Sequence, residues 1–369
     1  MEFRISRENF LTGAQKVQGI VETKGAMPIL SHLLVSTENE GIYIQATDLE
    51  IGIKGFYPAN VITQGALALN ARKLFDIVRE LPEQEIHVNR EDNNWITLRC
   101  GNSKFRLPGL PAEDFPALPE YSEEGIMEFR APLLREMIRK TIFAISPDES
   151  RQALNGLLLE REENQATLVG TDGHRLALIQ RPLPASSAPG AEKLSLILPK
   201  KALTELLKMM ENDDAVFSFS VKNNHLAFIQ GKQVIVSRKI EGKFPNYRQV
   251  VPKDHDLKVQ LSKDDFTHAL KRVSLLADEK SKMVRFEARQ GMLTLISDNS
   301  DYGAAREEIP VSYKGEEMFI GLNAKYILDV LAAVEQEKIT LNLKDQNHPC
   351  LITVDDDKDY LSIVMPMRL

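Results

Sequence analysis

Hydrophobic residues recur at helical spacing in six stretches of the chain and alternate with polar residues in many others. Leu74, Ile77 and Val78 show the helical spacing, and the same pattern predicts helices over 7–17, 71–81, 132–145, 199–210, 262–275 and 323–334. Stretches of β-branched alternation, such as "GIYIQATD", "AVFSFSV", "HLAFIQG" and "KQVIVSRKI", predict strands. The fold class that follows is α+β, with antiparallel sheets packed on helices.

This pattern occurs three times along the chain. A strand followed by a helix begins each copy, as "MEFRISRENF", "MEFRAPLLRE" and "LKVQLSKDDF". An apolar strand ending in aspartate comes next, then a strand entering a helix at Asn70, Pro199 or Asn323, and then an aromatic residue or Met before proline. Four landmarks in one order predict three tandem homologous domains, over 1–125, 126–250 and 251–369.

Charge is distributed unevenly between the predicted helices and the rest of the chain. The net charge is −7, which argues against a sequence-specific DNA-binding protein. The six predicted helices nevertheless contain 15 Lys and Arg against 8 Asp and Glu. Their net charge of +7 leaves −14 for the remainder. We therefore expect the helices to face a polyanion, held weakly and without reading of its sequence.

Several classes of protein are excluded by what the sequence contains. Its apolar runs are too short to span a membrane, and we expect no secretory signal. The two cysteines, Cys100 and Cys350, favour a reducing cytoplasm and no metal site. No nucleotide-binding or hydrolase motif such as GxxxxGK[ST] or GxSxG is found. The sequence therefore predicts a cytoplasmic protein that is not an enzyme and needs no cofactor.

The octet "TDGHRLAL", residues 171–178, is the stretch that most resembles a catalytic site. Asp172 has counterparts in Asp48 and Asp298 at the same strand end, so we predict that it accepts backbone hydrogen bonds in a shared turn. Gly-His-Arg follows only in the middle copy, which indicates a role specific to that domain. The alternative is a hydrolase or transferase that uses Asp172, His174 and Arg175. A non-catalytic scaffold that only binds other proteins is a third hypothesis.

The three repeats, "GTDGHRLAL", "EGKFPNYRQVVP" and the terminal "VMPMRL" together resemble the bacterial DNA polymerase III β subunit family, the sliding clamps. The resemblance runs from "MPIL" at 27–30 and "ATDLE" at 46–50 to the last residue. It implies a head-to-tail homodimeric ring that encircles double-stranded DNA and confers processivity on the polymerase. The implied protein partners are the DNA polymerase III α subunit, the clamp loader δ subunit, other DNA polymerases and repair proteins.

The resemblance also implies a hydrophobic pocket that receives short linear motifs from these partners. Flexible thioether side chains beside the terminal proline suit a pocket that accepts several ligands. Gln249 departs from the family's pattern, which has a basic residue at this position. The implied pocket residues are Leu154, Thr171, Gly173, His174, Arg175, Leu176, Pro245, Val250, Pro349, Ile363, Met365, Pro366, Met367 and Arg368.

Two further sets of residues follow from the resemblance and from the basic helices. At the ring interface, Phe105 and Leu107 are expected to meet Leu275 and Leu276 of a second copy, with Lys73 in an ion pair. Gln152 and Ala153 replace aromatic residues of the family, so base stacking is not expected there. The candidates to face DNA are Lys24, Arg72, Lys73, Arg135, Arg139, Lys140, Arg151, Lys200, Lys201, Lys271 and Arg272.

Overall fold

The computed structural model describes residues 1–22, 27–122, 127–183, 193–210, 214–252 and 257–368. These residues form six α-helices: α1 (Arg7–Lys16), α2 (Ala71–Glu80), α3 (Ala131–Arg139), α4 (Lys200–Met209), α5 (Lys263–Ser274) and α6 (Ala324–Ala333). Short 3-10 helices lie at Pro28–Ser31, Asp92–Asn94, Ala112–Asp114, Ile142–Ala144, Gln152–Leu154 and Tyr247–Gln249. No helix in the described ranges is long and apolar enough to cross a membrane.

The strands follow the three predicted repeats. The first repeat contains β1 (Glu2–Ser6), β2 (His32–Glu38), β3 (Gly41–Thr47), β4 (Ile51–Pro58), β5 (Asn60–Thr63), β6 (Ala66–Asn70), β7 (Glu85–Arg90), β8 (Trp95–Cys100) and β9 (Ser103–Leu110). The second contains β10 (Met127–Arg130), β11 (Gly156–Glu162), β12 (Gln165–Thr171), β13 (Arg175–Pro182), β14 (Leu194–Pro199), β15 (Val216–Lys222), β16 (His225–Gln230) and β17 (Gln233–Arg238). The third contains β18 (Leu257–Ser262), β19 (Met283–Arg289), β20 (Met292–Asn299), β21 (Gly303–Pro310), β22 (Met318–Asn323), β23 (Lys338–Leu343), β24 (Cys350–Val354) and β25 (Asp357–Val364).

All six predicted helices are confirmed, and only α3 differs substantially in length. It ends at Arg139 rather than at residue 145 and is followed by a turn and a 3-10 helix. The backbone of Thr141 leaves the helical region with φ −130°, and its hydroxyl donates to the Met137 carbonyl oxygen at 2.7 Å. A side chain that bonds the carbonyl of the preceding turn competes with continuation of the helix. The predicted N-caps are confirmed, since Asn70 and Asn323 accept hydrogen bonds from the amides of Lys73 and Tyr326.

The described residues form two compact units, each with its own sheets. One unit holds Met1–Pro132 and Lys201–Lys239, and its strands form one antiparallel sheet in the order β10-β15-β16-β17-β4-β3-β2-β6-β9-β8-β7-β1-β5. The other holds residues 133–183, 193–200 and 240–368. Its sheets run β14-β11-β12-β13-β25-β24-β23-β18 and β21-β20-β19-β22. The core of each unit lies between sheets and helices and consists of Leu, Ile, Val and Phe side chains with little or no exposure.

Two strand pairings join consecutive repeats, and they are equivalent to each other. We call β4, β13 and β21, which follow the aspartate turn of each repeat, the D strands, and the last strands β9, β17 and β25 the H strands. In the first seam β4 pairs with β17, and Gly52 lies opposite Val236. In the second seam β13 pairs with β25, and Leu176 lies opposite Ile363. Each seam therefore joins the D strand of one repeat to the H strand of the next.

These seams explain why the middle repeat contributes to both compact units. Its strands β15, β16 and β17 continue the sheet of the first repeat, whereas β11, β12 and β13 continue into that of the third. The predicted boundary between residues 125 and 126 lies outside the described residues, and the one between 250 and 251 follows the Tyr247–Gln249 turn. The predicted domain limits remain predictions.

Candidate functional site

The turn between β12 and β13 is held by side chains of its own first two residues. The Thr171 hydroxyl donates to the Arg175 carbonyl oxygen at 2.6 Å and accepts from the Gly173 amide at 3.1 Å. Oδ1 of Asp172 accepts from the amides of His174 and Arg175 at 2.9 and 3.0 Å. Gly173 adopts φ +89°, a conformation that favours glycine. The carboxylate therefore has the structural role that the sequence predicted.

The same turn occurs in the first repeat and, one residue later, in the third. Oδ1 of Asp48 accepts from the amides of Glu50 and Ile51, and Leu49 takes φ +77° where the middle repeat has glycine. In the third repeat Asn299, not Asp298, accepts the two amide hydrogen bonds. The prediction was therefore wrong for Asp298, because the third turn is one residue longer and Asn299 takes the capping position. Ser297, which precedes Asp298, donates its hydroxyl to the Val273 carbonyl oxygen.

Arg175 is the most heavily bonded residue of the turn. It is 8% exposed, and its Nε donates to Oδ2 of Asp172 at 3.0 Å while a terminal nitrogen donates to Asp329 of α6 at 2.5 Å. Its guanidinium also lies over the ring of Tyr326, 4.5 Å from the centroid. Burial, and then the Asp172 carboxylate, raise the pKa of Tyr326. Arg175 thus links the turn to α6.

The arrangement does not suit the hydrolase alternative. Oδ1 of Asp172 accepts two backbone amides, and Oδ2 accepts the Arg175 guanidinium. A catalytic carboxylate that orients a histidine would instead bond the imidazole. His174 is exposed, and its backbone, rather than its ring, bonds Asp172.

Apolar residues of the second seam form a cluster beside this turn. Leu176 and Ile363 lie opposite each other in the seam and are buried, and Leu154 packs against them while remaining half-buried. Phe244 and Tyr247 of the segment that follows β17 complete the cluster. The structure therefore brings together three of the predicted pocket residues, with Leu154 as the accessible one.

The C-terminal segment lies along the same turn. The Met365 amide donates to the His174 carbonyl oxygen at 2.9 Å, and the Met367 amide donates to that of Gly321 at 2.8 Å. A cavity of 470 Å³ lies beside Pro366, Met367 and Arg368. Gln346 and Asn347 also line this cavity and were not predicted; their one signal in the sequence is the turn "DQNHP", which contains the predicted Pro349.

Other predicted pocket residues stand on the segment between β17 and β18. Pro245 and Val250 are exposed there, on either side of the buried Tyr247. Burial, and then a hydrogen bond to Glu160 at 2.7 Å, raise the pKa of Tyr247. Gln249 is exposed and lies in the same 3-10 helix. Thr171 is buried within the turn.

Lys140 is a wrong prediction among the residues expected to face DNA. It is 5% exposed, and its Nζ donates to Asp357 at 2.7 Å and to Glu136 at 2.8 Å. Arg181 donates to the same two carboxylates. Burial raises the pKa of Asp357 and Glu136, but hydrogen bonds from Arg181 and Lys140 outweigh it and lower both. These four side chains, which we call the charge cluster, join α3 and β13 to Asp357, the first residue of β25.

The remaining basic candidates differ in their bonding and in their exposure. Arg151 donates to the Asp172 carbonyl oxygen at 3.1 Å and lies near Asp148, so it supports the turn as well. Lys201 pairs with Asp48, and Arg272 pairs with Glu307. Lys24 lies outside the described residues. The exposed candidates on the helices are Arg72, Lys73, Arg139, Lys200 and Lys271, and Arg135 is partly buried.

The residues expected at a ring interface stand on open strands and a helix end. Within the described residues, β21 pairs only with β20, and Ser103–Pro108 of β9 pairs only with β8. Phe105 of β9 is 37% exposed, and Leu275 at the end of α5 is 80% exposed. Leu107 and Leu276 are partly exposed, and Lys73 is exposed. A strip of exposed apolar groups beside an unpaired strand is typical of an association surface.

Comparison with known proteins gives a consistent result over the whole chain. Three models of the DNA polymerase III beta subunit match it: the N-terminal domain at residues 1–119, the central domain at 128–246 and the C-terminal domain at 248–368. A beta sliding clamp of Pseudomonas putida is 33% identical over 370 residues, and one of Caulobacter vibrioides is 35% identical over 382, each with full coverage of both chains. A crystal structure of the Pseudomonas aeruginosa DNA polymerase sliding clamp matches with a TM-score of 0.93 at 32% identity and full coverage of both.

Proposed function

The chain belongs to the family of DNA polymerase III beta subunits, which are sliding clamps and processivity factors rather than catalytic subunits, and on that premise we propose how it works. Two copies close head to tail into a ring around duplex DNA, in the cytoplasm. The ring tethers the replicative polymerase and is placed by a clamp loader. Polymerases, the loader and repair proteins dock in turn through the pocket beside residues 171–176.

The observation that carries the ring is the repetition of the seams. A protein of three repeats offers three D strands and three H strands, and the chain's own seams use two of each. The D strand β21 and the H strand β9 are left, with open edges in the described part of the chain. Pairing β21 with β9 of a second copy is a heterologous contact, which closes when the rotations sum to a full turn. Two copies then satisfy every D and H strand.

The seams also predict the register of this contact. In each hairpin the residue just before the capping side chain marks an equivalent position on the D strand. Its partners across the three hairpins are Gly52 (opposite Thr47), Leu176 (opposite Thr171) and Ala304 (opposite Asp298). On the H strands, Val236 and Ile363 lie four residues before Ile240 and Met367. Ile240 pairs with Ile197 and Met367 pairs with Gly321, just as Leu110 pairs with Ala68. The three partners are equivalent, since each lies two residues before Pro199, Asn323 or Asn70 at the start of a helix. By the same spacing Arg106 takes this place on β9. We therefore expect Arg106 opposite Ala304 of the second copy, and Phe105 opposite Ala305.

This register is also consistent with the faces of the two strands. Phe105 lies opposite the buried Leu98 of β8 and therefore faces the helix side of its sheet. Ala305 lies opposite Ser297, whose hydroxyl bonds the carbonyl of Val273 on α5, so it faces the helix side as well. A small alanine opposite Phe105 leaves room for the ring against Leu275 and Leu276 at the end of α5.

DNA is held by weak and exchangeable contacts in this account. Exposed lysines and arginines on the helices attract phosphates without reading base edges. Because retention arises from topology, it does not require high affinity. The net charge of −14 outside the predicted helices discourages DNA from binding elsewhere on the surface.

The pocket is proposed to take two or three apolar anchors of a partner peptide. Leu154 supplies the accessible part of an otherwise buried floor, and the methionines on either side of Pro366 supply adaptable walls. Each buried anchor contributes roughly 1.5–3 kcal/mol, and ordering of the peptide offsets much of it. The result is modest affinity, which suits partners that replace one another. A related clamp of Pseudomonas aeruginosa has been crystallised bound to griselimycin.

Retention on circular DNA tests the proposal. The protein is loaded onto a nicked plasmid with its clamp loader, and DNA-bound protein is separated on a large-pore column before and after the plasmid is linearised. We expect retention on the circle and loss after linearisation. Equal retention on the two forms would mean that the protein binds DNA without encircling it.

Removal of residues 365–369 tests the pocket separately from the ring. The truncation deletes the methionines and the main-chain bonds to His174 and Gly321 but no strand of either seam. We expect partner-peptide binding to be lost while the solution mass stays near that of two chains. Binding of a partner peptide at full strength would place the pocket elsewhere.

A further inference from the structure

A second cavity lies at the first seam, on the sheet face opposite the helices. Its volume is 390 Å³, and its lining comes from four neighbouring strands and from the segment that precedes residue 123. Tyr43 and Lys54 belong to the first repeat, whereas Ile229, Lys232 and Val234 belong to the second. Because β4 pairs directly with β17 here, the cavity exists only where the two repeats are joined.

The walls of this cavity carry two ammonium groups held over aromatic rings. Nζ of Lys54 lies 4.2 Å from the centroid of the Tyr43 ring, and Nζ of Lys232 lies 3.9 Å from that of Phe56. Among the described residues neither lysine has an ion pair with a carboxylate. Two ammonium groups beside one cavity, neither paired with a carboxylate among the described residues, favour a ligand with negative charge.

The floor of the cavity is apolar. Val234 is buried and Ile229 is partly exposed, and both belong to a small apolar cluster with Ala227. The ring of Tyr121 packs against the same cluster. Gly231 adopts φ +54° at the hairpin beside Lys232, where an added Cβ atom would meet none of the described residues within 4 Å. The cavity therefore offers an apolar surface between two cations.

Comparison with the second seam shows that the repeat itself does not require these residues. Thr47 and Thr171 correspond, as do Val236 and Ile363, so the counterparts of Tyr43, Lys54, Phe56 and Lys232 are Thr167, Leu178, Gln180 and Asp359. None of the four is aromatic or basic, and one has the opposite charge. The second seam nevertheless pairs its strands in the same register. The lysines and rings of the first seam thus have a role other than joining repeats.

We propose that this cavity binds an acidic peptide segment of a partner protein, with its carboxylates on Lys54 and Lys232 and an apolar side chain on Ile229 and Val234. A cavity of this size accommodates two or three side chains. Nucleic acid fits less well, because only two cations line the cavity. The site is independent of the pocket at residues 171–176 and of DNA within the ring.

Fluorescence anisotropy with a labelled peptide tests the proposal on the full-length protein. The probe is Glu-Glu-Trp-Glu-Glu, blocked at both ends, with Gln-Gln-Trp-Gln-Gln as the neutral comparison. We expect saturable binding of the acidic probe alone, weakening as salt is raised. A double Lys54→Met, Lys232→Met variant should weaken binding roughly tenfold, which corresponds to about 1.4 kcal/mol. Lys54→Arg with Lys232→Arg should retain most of the affinity.

Matched controls separate this site from general attraction to charge. Lys325→Met with Lys338→Met removes two exposed lysines from the third repeat and should leave the affinity unchanged. Equal weakening by both double variants would overturn the proposal, as would the absence of saturable binding of the acidic probe. Labelled oligo(dT) serves as a second probe in the same assay. If the Lys54, Lys232 double variant lost oligo(dT) binding but kept peptide binding, the cavity would be assigned to nucleic acid instead.

Discussion

Neutralising one carboxylate of the charge cluster is expected to be among the most destabilising single changes in the protein. Asp357 has a side chain 9% exposed and accepts from Lys140 at 2.7 Å and from Arg181 at 2.6 and 3.0 Å. Asp357→Asn keeps the shape but leaves two cations, 6% and 14% exposed, with only Glu136 as their counter-charge.

The size of the loss follows from this burial. Removal of one partner from a buried ion pair costs roughly 3–5 kcal/mol, because the other charge stays desolvated. For a unit of this size each kcal/mol lowers Tm by roughly 2–4 °C, so we expect a fall of roughly 6–20 °C. Adding Lys140→Met removes one of the uncompensated cations, and the double variant should therefore be more stable than the sum of the single changes implies.

Thermal and urea unfolding measure this effect, with an exposed ion pair as the control. Glu317 pairs with Arg289 at 2.7 Å, but the two side chains are 60% and 51% exposed. Glu317→Gln should change stability by less than about 1 kcal/mol. If Asp357→Asn were no more destabilising than Glu317→Gln, or if the two changes at Asp357 and Lys140 were simply additive, the charge cluster would not act as a buried unit.

Three further predictions follow from the same contacts. The lowered pKa values of Asp357 and Glu136 mean that these carboxylates stabilise the folded state at pH values above the ordinary carboxyl pKa. This stabilisation is lost as the pH falls through their folded-state pKa values. The difference in urea midpoint between wild type and Asp357→Asn should therefore shrink on acidification below about pH 4. Arg175→Met should destabilise by roughly 3–5 kcal/mol in urea unfolding, because Asp172 and Asp329 lose their shared cation; a change under about 1 kcal/mol would contradict its role as a fastening. Gly173→Ala should destabilise by about 1 kcal/mol, because an L side chain is strained at φ +89°, and an unchanged midpoint would show that the turn relaxes.

Much of the fold could be predicted from the sequence because the repeats act as internal controls. Three copies of each landmark identified the helices, their asparagine caps and the turn at Asp172. The same logic failed at Asp298, where one extra residue in the turn transferred the capping role to Asn299. A shift of one residue moves a strand residue to the opposite face, and it changes the register expected between β21 and β9.

The site was only partly predictable, because burial and long-range pairing are not visible in local pattern. Lys140 lies within the basic helix predicted over 132–145, and only its contact with Asp357, 217 residues later, shows that its ammonium group is buried in an ion pair. Arg175 is still predicted to belong to the pocket, but its burial and its bond to Asp329, 154 residues later, could not be predicted from the local pattern. The cavity at Lys54 and Lys232 joins residues of two repeats and carries no motif.

Covalent closure of the ring on circular DNA tests the central claim most directly. Strand neighbours lie about 4.5–5.5 Å apart between Cα atoms, within the range of a disulfide. Arg106→Cys with Ala304→Cys should therefore cross-link two chains through both contacts, whereas Arg106→Cys with Arg306→Cys, displaced by two residues, should not. Oxidation in the presence of a closed circular plasmid should yield a fraction of cross-linked dimer that stays on the plasmid in denaturant and leaves when the plasmid is cut. Cross-linking at the displaced pair alone, or cross-linked dimer that leaves the uncut circle in denaturant, would contradict the account.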